Sequence, residues 1–103
     1  MREIKELSQM ILEEVHDAMK YAKRALEKKE LRPDLARMFD NLSRQEMEHM
    51  TMLHNATVGL INEAKRNGAT VPPGMMEAYE LVHGMVIDEA DEVKRLQQMY
   101  REG

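Results

Sequence analysis

The sequence has 103 residues, a formal net charge of −4, and no cysteine or tryptophan. One domain with a modest core is expected at this length, and disulfides and thiolate metal ligands are excluded. The absence of a basic surplus argues against a nucleic-acid partner, and no run of about 18 apolar residues could cross a membrane. Ala, Leu, Glu, Lys, Arg and Met dominate the chain, which predicts an all-α fold. No signal-peptide pattern is present at the N-terminus, so we expect a cytoplasmic protein.

The first predicted helix covers about residues 2–30. Apolar side chains at alternating steps of three and four predict its inward face. This stripe consists of Ile4, Leu7, Ile11, Glu14, Ala18, Tyr21 and Ala25, with a second stripe beside it at Leu12, Val15, Met19, Ala22 and Leu26. Glu14 interrupts the first stripe at mid-helix. Tyr21 lies two turns later on the same face, where its hydroxyl could donate a hydrogen bond to a buried carboxylate.

The second predicted helix covers about residues 34–67, between a turn containing Pro33 and a stop at Gly68. Its predicted inward stripe is Leu35, Phe39, Leu42, Glu46, His49, Leu53, Ala56 and Leu60. Glu46 and His49 therefore lie on one face, at positions where the pattern requires Leu. Glutamate is rarely buried unless it is paired or coordinates a cation, and Glu-x-x-His facing into a bundle is the ligand pattern of carboxylate metal proteins. A second apolar face on this helix predicts a subunit interface.

The third predicted helix covers about residues 73–101 and carries a third mid-helix acid. Its stripe reads Tyr79, Val82, Val86, Glu89, Val93, Leu96 and Tyr100. Glu92 lies one turn after Glu89 and can share its face. The preceding linker is too short to span the second helix, so the third helix either returns antiparallel to it or docks on another subunit. In an up-down-up arrangement Glu14, His49 and Glu89 fall within about two turns of one another.

With these motifs the chain resembles the ferritin-like superfamily, and rubrerythrin-type proteins most closely. Residues 34–55, with Glu46 and His49 in register, are similar to the second helix of that family. Glu14 followed by Tyr21 is similar to the first-helix Glu and Tyr of ferritins, and Glu89-x-x-Glu92 to the third-helix Glu-x-x-Glu of rubrerythrins. The resemblance implies a ferritin-like antiparallel bundle in which Glu14, Glu46, His49, Glu89 and Glu92 are metal ligands.

The chain departs from the family in two ways. It has no fourth helix with a second Glu-x-x-His, and no long crossover between its second and third helices. Encapsulated ferritins, whose chains are also too short for a four-helix bundle, complete their metal site between subunits. The resemblance therefore implies a homo-oligomer, at least a dimer, and an enclosing shell protein as a candidate partner. Without cysteine there is no rubredoxin-like site, so the likeness to a complete rubrerythrin peroxidase stops there.

Each candidate residue also has a purely structural interpretation. Glu46 and His49 could be a buried polar pair that fixes bundle register, and Glu14 could be a rim acid paired with a lysine. The acids near residues 88–92 could face water. His16, His54 and His83 are interpreted as surface or edge histidines, and Glu80-x-x-His83 lies off the main stripe. Tyr21 could be a core tyrosine with one hydrogen bond.

From these patterns we predict a di-iron carboxylate protein with two ions per completed site, or Mn or Zn in place of iron. The expected activity is that of a ferroxidase-type oxidoreductase, which oxidises Fe(II) with O2 or peroxide. Glu46 would bridge the two ions and Glu14 and His49 would be terminal ligands, with Glu46 and Tyr21 as the candidate catalytic residues. The alternative is a non-catalytic helical assembly or adaptor protein built on a ferritin-like scaffold.

Overall fold

The computed structural model of the protein describes residues 2–68 and 72–103. These residues form three helices and no strand: α1 (Arg2–Lys28), α2 (Pro33–Arg66) and α3 (Pro73–Glu102). The prediction of an all-α chain with three long helices is confirmed, although residues 69–71 of the predicted linker lie outside the described residues. The molecule is a rod with principal extents of 56 × 19 × 18 Å. Within the described residues, no helix combines the length and apolar character needed to cross a bilayer.

Local sequence explains where α2 begins and ends. Pro33 occupies its first turn, where a missing N–H costs no hydrogen bond. At the other end Gly68 has a φ of +71°, a left-handed conformation that glycine adopts without a Cβ clash. The Gly68 N–H donates to the carbonyl of Lys65 at 3.2 Å, which closes the last turn of the helix.

The helices run up, down and up, with α1 packed against both others. Tyr21 of α1 stacks on Phe39 of α2, and Glu14, earlier in α1, faces His49, later in α2, so these two helices are antiparallel hairpin partners. The C-terminal ends of α1 and α3 meet where the Lys29 ammonium donates to the carbonyl of Tyr100 at 2.6 Å. Helix α3 packs mainly on α1 and has only a narrow contact with α2.

The core lies mainly between α1 and α3. Its buried members are Ile11, Val15, Ala18, Val86, Ala90 and Val93. Val15, Ala18 and Val93 have no solvent exposure at all. Half-buried side chains of α2, among them Met47 and Met50, cover this cluster from the third side. The stripe predicted for α3 therefore does face the core.

The predicted inward face of α2 is wrong for the single chain. The buried residues of α2 are Ala36, Asp40, Ser43, Thr57, Ile61 and Ala64. Most of these side chains are small, and they allow the α2 backbone to approach α1 closely. The leucines of the predicted stripe flank this seam at partial exposure, and the His49 side chain is 55% exposed. The helix is thus rotated by about one residue, roughly 100°, from the predicted orientation.

Candidate metal centre

Three of the predicted ligands lie together on the outer side of the α1–α2 seam. Glu14 comes from α1, and Glu46 and His49 come from successive turns of α2. Each offers one ligand atom, and the three atoms lie within 4.8 Å of one another. We call this cluster the triad. Within the described residues it is the one group of three or more acidic or histidine side chains close enough to share an ion.

The His49 ring lies too far from either carboxylate for a hydrogen bond and close enough to share one ion with both. His49 Nδ1 lies 3.6 Å from Glu14 Oε2 and 3.7 Å from Glu46 Oε1. Both distances exceed those of a hydrogen bond. Two atoms that each bind one zinc-sized ion at about 2.1 Å are about 3.0–3.5 Å apart. A small closing movement of the exposed imidazole would therefore bring all three side chains onto one cation.

The metal-free triad leaves a buried acceptor without a partner. Glu14 Oε2 is inaccessible to solvent and accepts no hydrogen bond. A buried carboxylate oxygen in that state carries an uncompensated desolvation cost, which a bound cation would remove. The residues present therefore fit a divalent metal in both donor type and unmet need.

The pKa of Glu46 also reflects the crowding of the two carboxylates. The adjacent Glu14 carboxyl, which can share a proton with Glu46, and then burial raise the pKa of Glu46 to about 7 from its ordinary value of 4.5. The positive charge of His49 opposes this effect only in part. Below about pH 7 the two carboxyls can therefore hold one proton between them, and a metal ion that binds there must displace it.

This raised pKa predicts a pH-dependent stability for metal-free protein. The folded state holds a proton on Glu46 that the unfolded state has released, so stability falls as the pH rises from about 4.5 to about 7. The loss is at most about 3 kcal/mol at higher pH. Urea unfolding in chelator should show the free energies of unfolding of wild type and Glu46→Gln diverging across this window, with the variant the more stable above pH 7. Parallel curves would contradict the shift.

Glu89 lies at the predicted level but on the other flank of α1. Its Oε1 bonds to Nδ1 of His16 at 2.6 Å. His16 follows Glu14 by two residues, about 200° around the helix, so Glu89 points to a different side of the bundle. Glu92 pairs with Arg95 on its own helix, with Arg95 Nε donating at 2.9 Å, and this pairing lowers the pKa of Glu92. Neither acid belongs to the triad, and their role as ligands in an assembly stays a prediction.

Tyr21 takes part in packing. Its ring stacks on Phe39 with centroids 6.2 Å apart, and the Lys20 ammonium lies 5.4 Å from the Tyr21 ring centre. Within the described residues no hydrogen bond joins the Tyr21 hydroxyl to a carboxylate. Tyr21 is on the same flank of α1 as Glu14, and its catalytic role also stays a prediction.

The remaining histidines join α2 to α3. The rings of His54 and His83 stack with centroids 5.2 Å apart, and the Tyr79 ring stacks on His83 with centroids 5.6 Å apart. Neither ring belongs to a group that could hold an ion within the described residues. A cavity of about 590 Å³ opens between the N-terminal halves of α1 and α3. Its lining is largely apolar and includes no triad residue, so it is separate from the candidate centre.

Two polar residues at the helix contacts, Ser43 and Gln97, were not singled out from the sequence. Gln97 donates a part-buried hydrogen bond to Ser43 between α3 and α2. His16, interpreted from the sequence as a surface or edge histidine, is exposed and bonds to Glu89. A small hydroxyl at a seam position, one turn before a ligand, is the signal that could have identified Ser43. No comparable signal marks Gln97, whose neighbour Gln98 has the same chemistry. In comparisons with known proteins, no protein family, no curated protein and no solved structure matches this chain.

Proposed function

We propose that this chain is a metal-binding protein in which Glu14, Glu46 and His49 hold a divalent transition-metal ion, with iron as the leading candidate. The observation that carries the proposal is the buried Glu14 Oε2, which has no hydrogen-bond partner and lies 3.6 Å from His49 Nδ1. Two carboxylates and an imidazole suit Fe(II), and also accept Mn(II) or Zn(II). No cysteine competes for softer metals.

A second copy of the chain would complete the site. Three ligands leave coordination positions open, and the triad faces outward beside the half-exposed leucines of α2. A two-fold axis passing near the triad would bring two triads together. Glu46 would then bridge two ions while Glu14 and His49 remain terminal ligands, which gives the two ions per site expected of a ferritin-like di-iron centre. The leucines of the α2 stripe remain partly exposed in the single chain, which supports this assembly.

The proposed activity is oxidation of Fe(II). When bound, iron supplies one-electron oxidation from Fe(II) to Fe(III), with O2 or peroxide as the electron acceptor. The chain's own residues would hold the ion: Glu14 and Glu46 would release their shared proton when it binds, and His49 would bind it through an unprotonated ring nitrogen. Tyr21 stays the candidate redox side chain, through its position two turns from Glu14.

Aerobic Fe(II) oxidation tests this activity. Wild-type protein should form Fe(III), followed by its near-ultraviolet absorbance, faster than buffer alone. Glu46→Ala should abolish the gain because it removes the bridging carboxylate. Glu48→Ala, an exposed acid two residues away on the same helix, should retain it. Iron that binds to wild type with no acceleration would limit the function to metal binding.

A helical assembly or adaptor protein without metal is the second candidate. The partly exposed leucines of α2 favour it, because a partner could cover them whether or not an ion is bound. In this case Glu46 and His49 would fix the register between copies. Metal analysis of purified protein separates the two functions, since only the first predicts a fixed metal-to-chain ratio.

A further inference from the structure

We propose that Ser43 and Gln97 are positioning residues for the triad. Together they form a hydrogen-bonded chain that runs from α3 through α2 to the backbone of α1, and we call this chain the latch. The inference rests on the proposed metal binding and deepens it. It assigns α3 a part in the site that requires no ligand from that helix.

The latch uses the hydrogen-bonding capacity of a single buried hydroxyl. Ser43 Oγ donates to the carbonyl oxygen of Ala18 at 2.8 Å, and it accepts from Gln97 Nε2 at 2.9 Å. Ser43 has no solvent exposure. A hydroxyl has one proton to donate and lone pairs to accept, so Ser43 connects all three helices at one point.

The latch lies one helical turn from the ligands on both sides of the seam. Ser43 precedes Glu46 by three residues, and Ala18 follows Glu14 by four. At these spacings the residues are neighbours on the same helix face. The hydrogen bond from α2 to the α1 backbone therefore fixes the separation and register of the two helices next to the carboxylates.

Gln97 gives α3 its influence on the site. It extends from a turn of α3 that contains the buried residues Val93 and Leu96, so its position follows the packing of that helix. Metal binding and α3 packing should therefore be coupled, each favouring the other. Amide hydrogen exchange should become slower in α3 when metal is added, although that helix holds none of the triad.

Matched pairs of variants test the latch with Co(II) as the probe. Ser43→Ala and Gln97→Ala should each weaken Co(II) binding about tenfold, the low end of the effect of removing an outer-shell partner. Ser8→Ala removes a buried serine whose hydroxyl bonds within its own helix, and Gln98→Ala removes an exposed glutamine with an intrahelical bond. Both controls should bind like wild type. All titrations are made at a temperature where circular dichroism shows every variant fully folded.

Two further readouts separate positioning from a general loss of stability. The visible absorption spectrum of bound Co(II), which reports ligand geometry, should change in Ser43→Ala and not in Ser8→Ala. In a double-mutant cycle, adding Gln97→Ala to Ser43→Ala should cost little more, because Gln97 acts through Ser43. Equal affinity and an unchanged spectrum in Ser43→Ala would overturn the latch while metal binding stands. If wild type binds no Co(II), Fe(II), Mn(II) or Zn(II), the proposed function fails and the positioning role fails with it.

Discussion

Fe(II), Mn(II) or Zn(II) should raise the melting temperature of this protein well above its value in chelator. A ligand that binds only the folded state at 100 times its Kd stabilises that state by about 2.7 kcal/mol. In a domain of this size each kcal/mol shifts the melting temperature by roughly 4–8 °C, so a rise above about 10 °C is expected. The physical source is the triad itself, where a cation satisfies Glu14 Oε2 and removes the repulsion that keeps a proton on Glu46.

The double variant Glu46→Gln, His49→Leu should erase this gain. It should also melt at a higher temperature than wild type when both are free of metal, because one of two adjacent carboxylates has become neutral. Glu48→Gln, an exposed change on the same helix, should keep the full metal-induced rise. If native protein contains no metal and none of the three ions shifts its melting, then Glu14, Glu46 and His49 are structural.

Local patterns in the sequence were sufficient for the helices and for the triad. Pro33 and Gly68 mark the ends of α2 through backbone effects that need no knowledge of the rest of the chain. Glu14 and His49 are nearly the same number of residues from the first turn, which predicted that they would lie at one level, and the structure brings them together with Glu46. Length and helical rise determine level along a bundle, and both can be counted from the sequence.

The rotation of each helix about its own axis could not be predicted by counting residues in the same way. Helix α2 has two apolar faces, and the sequence alone does not say which one packs inside the chain and which remains available. The small residues around Ser43 pack against α1, while the leucines beside Glu46 are left partly exposed. Glu89 is a second example. Its height along the bundle was predicted correctly, but its carboxylate lies on the other flank of α1, where it bonds to His16.

We also expect the chain to assemble into an oligomer, because the leucines beside the triad on α2 are partly exposed. They line the seam on the side that carries the triad, and Met10 of α1 is 45% exposed. Partly exposed leucines beside an exposed methionine give this side of the molecule apolar area that a second chain would cover. A two-fold axis at this surface would cover the leucines and add a second set of ligands in one step. We therefore expect a dimer or a higher even-numbered oligomer in solution.

Leu42→Lys should convert this oligomer to a folded monomer. Leu42 is partly exposed and lies one turn before Glu46, so a lysine there would put a long, strongly hydrated side chain into the proposed interface between copies. Leu31→Lys is the matched control, because that leucine lies in the turn between α1 and α2 and is 87% exposed. Light scattering at micromolar concentration should show wild type and Leu31→Lys as oligomers, and Leu42→Lys at the mass of one chain. The monomer should also bind metal more weakly, since it keeps only its own three ligands. A stable, well-folded wild-type monomer would contradict the assembly and remove the second set of ligands.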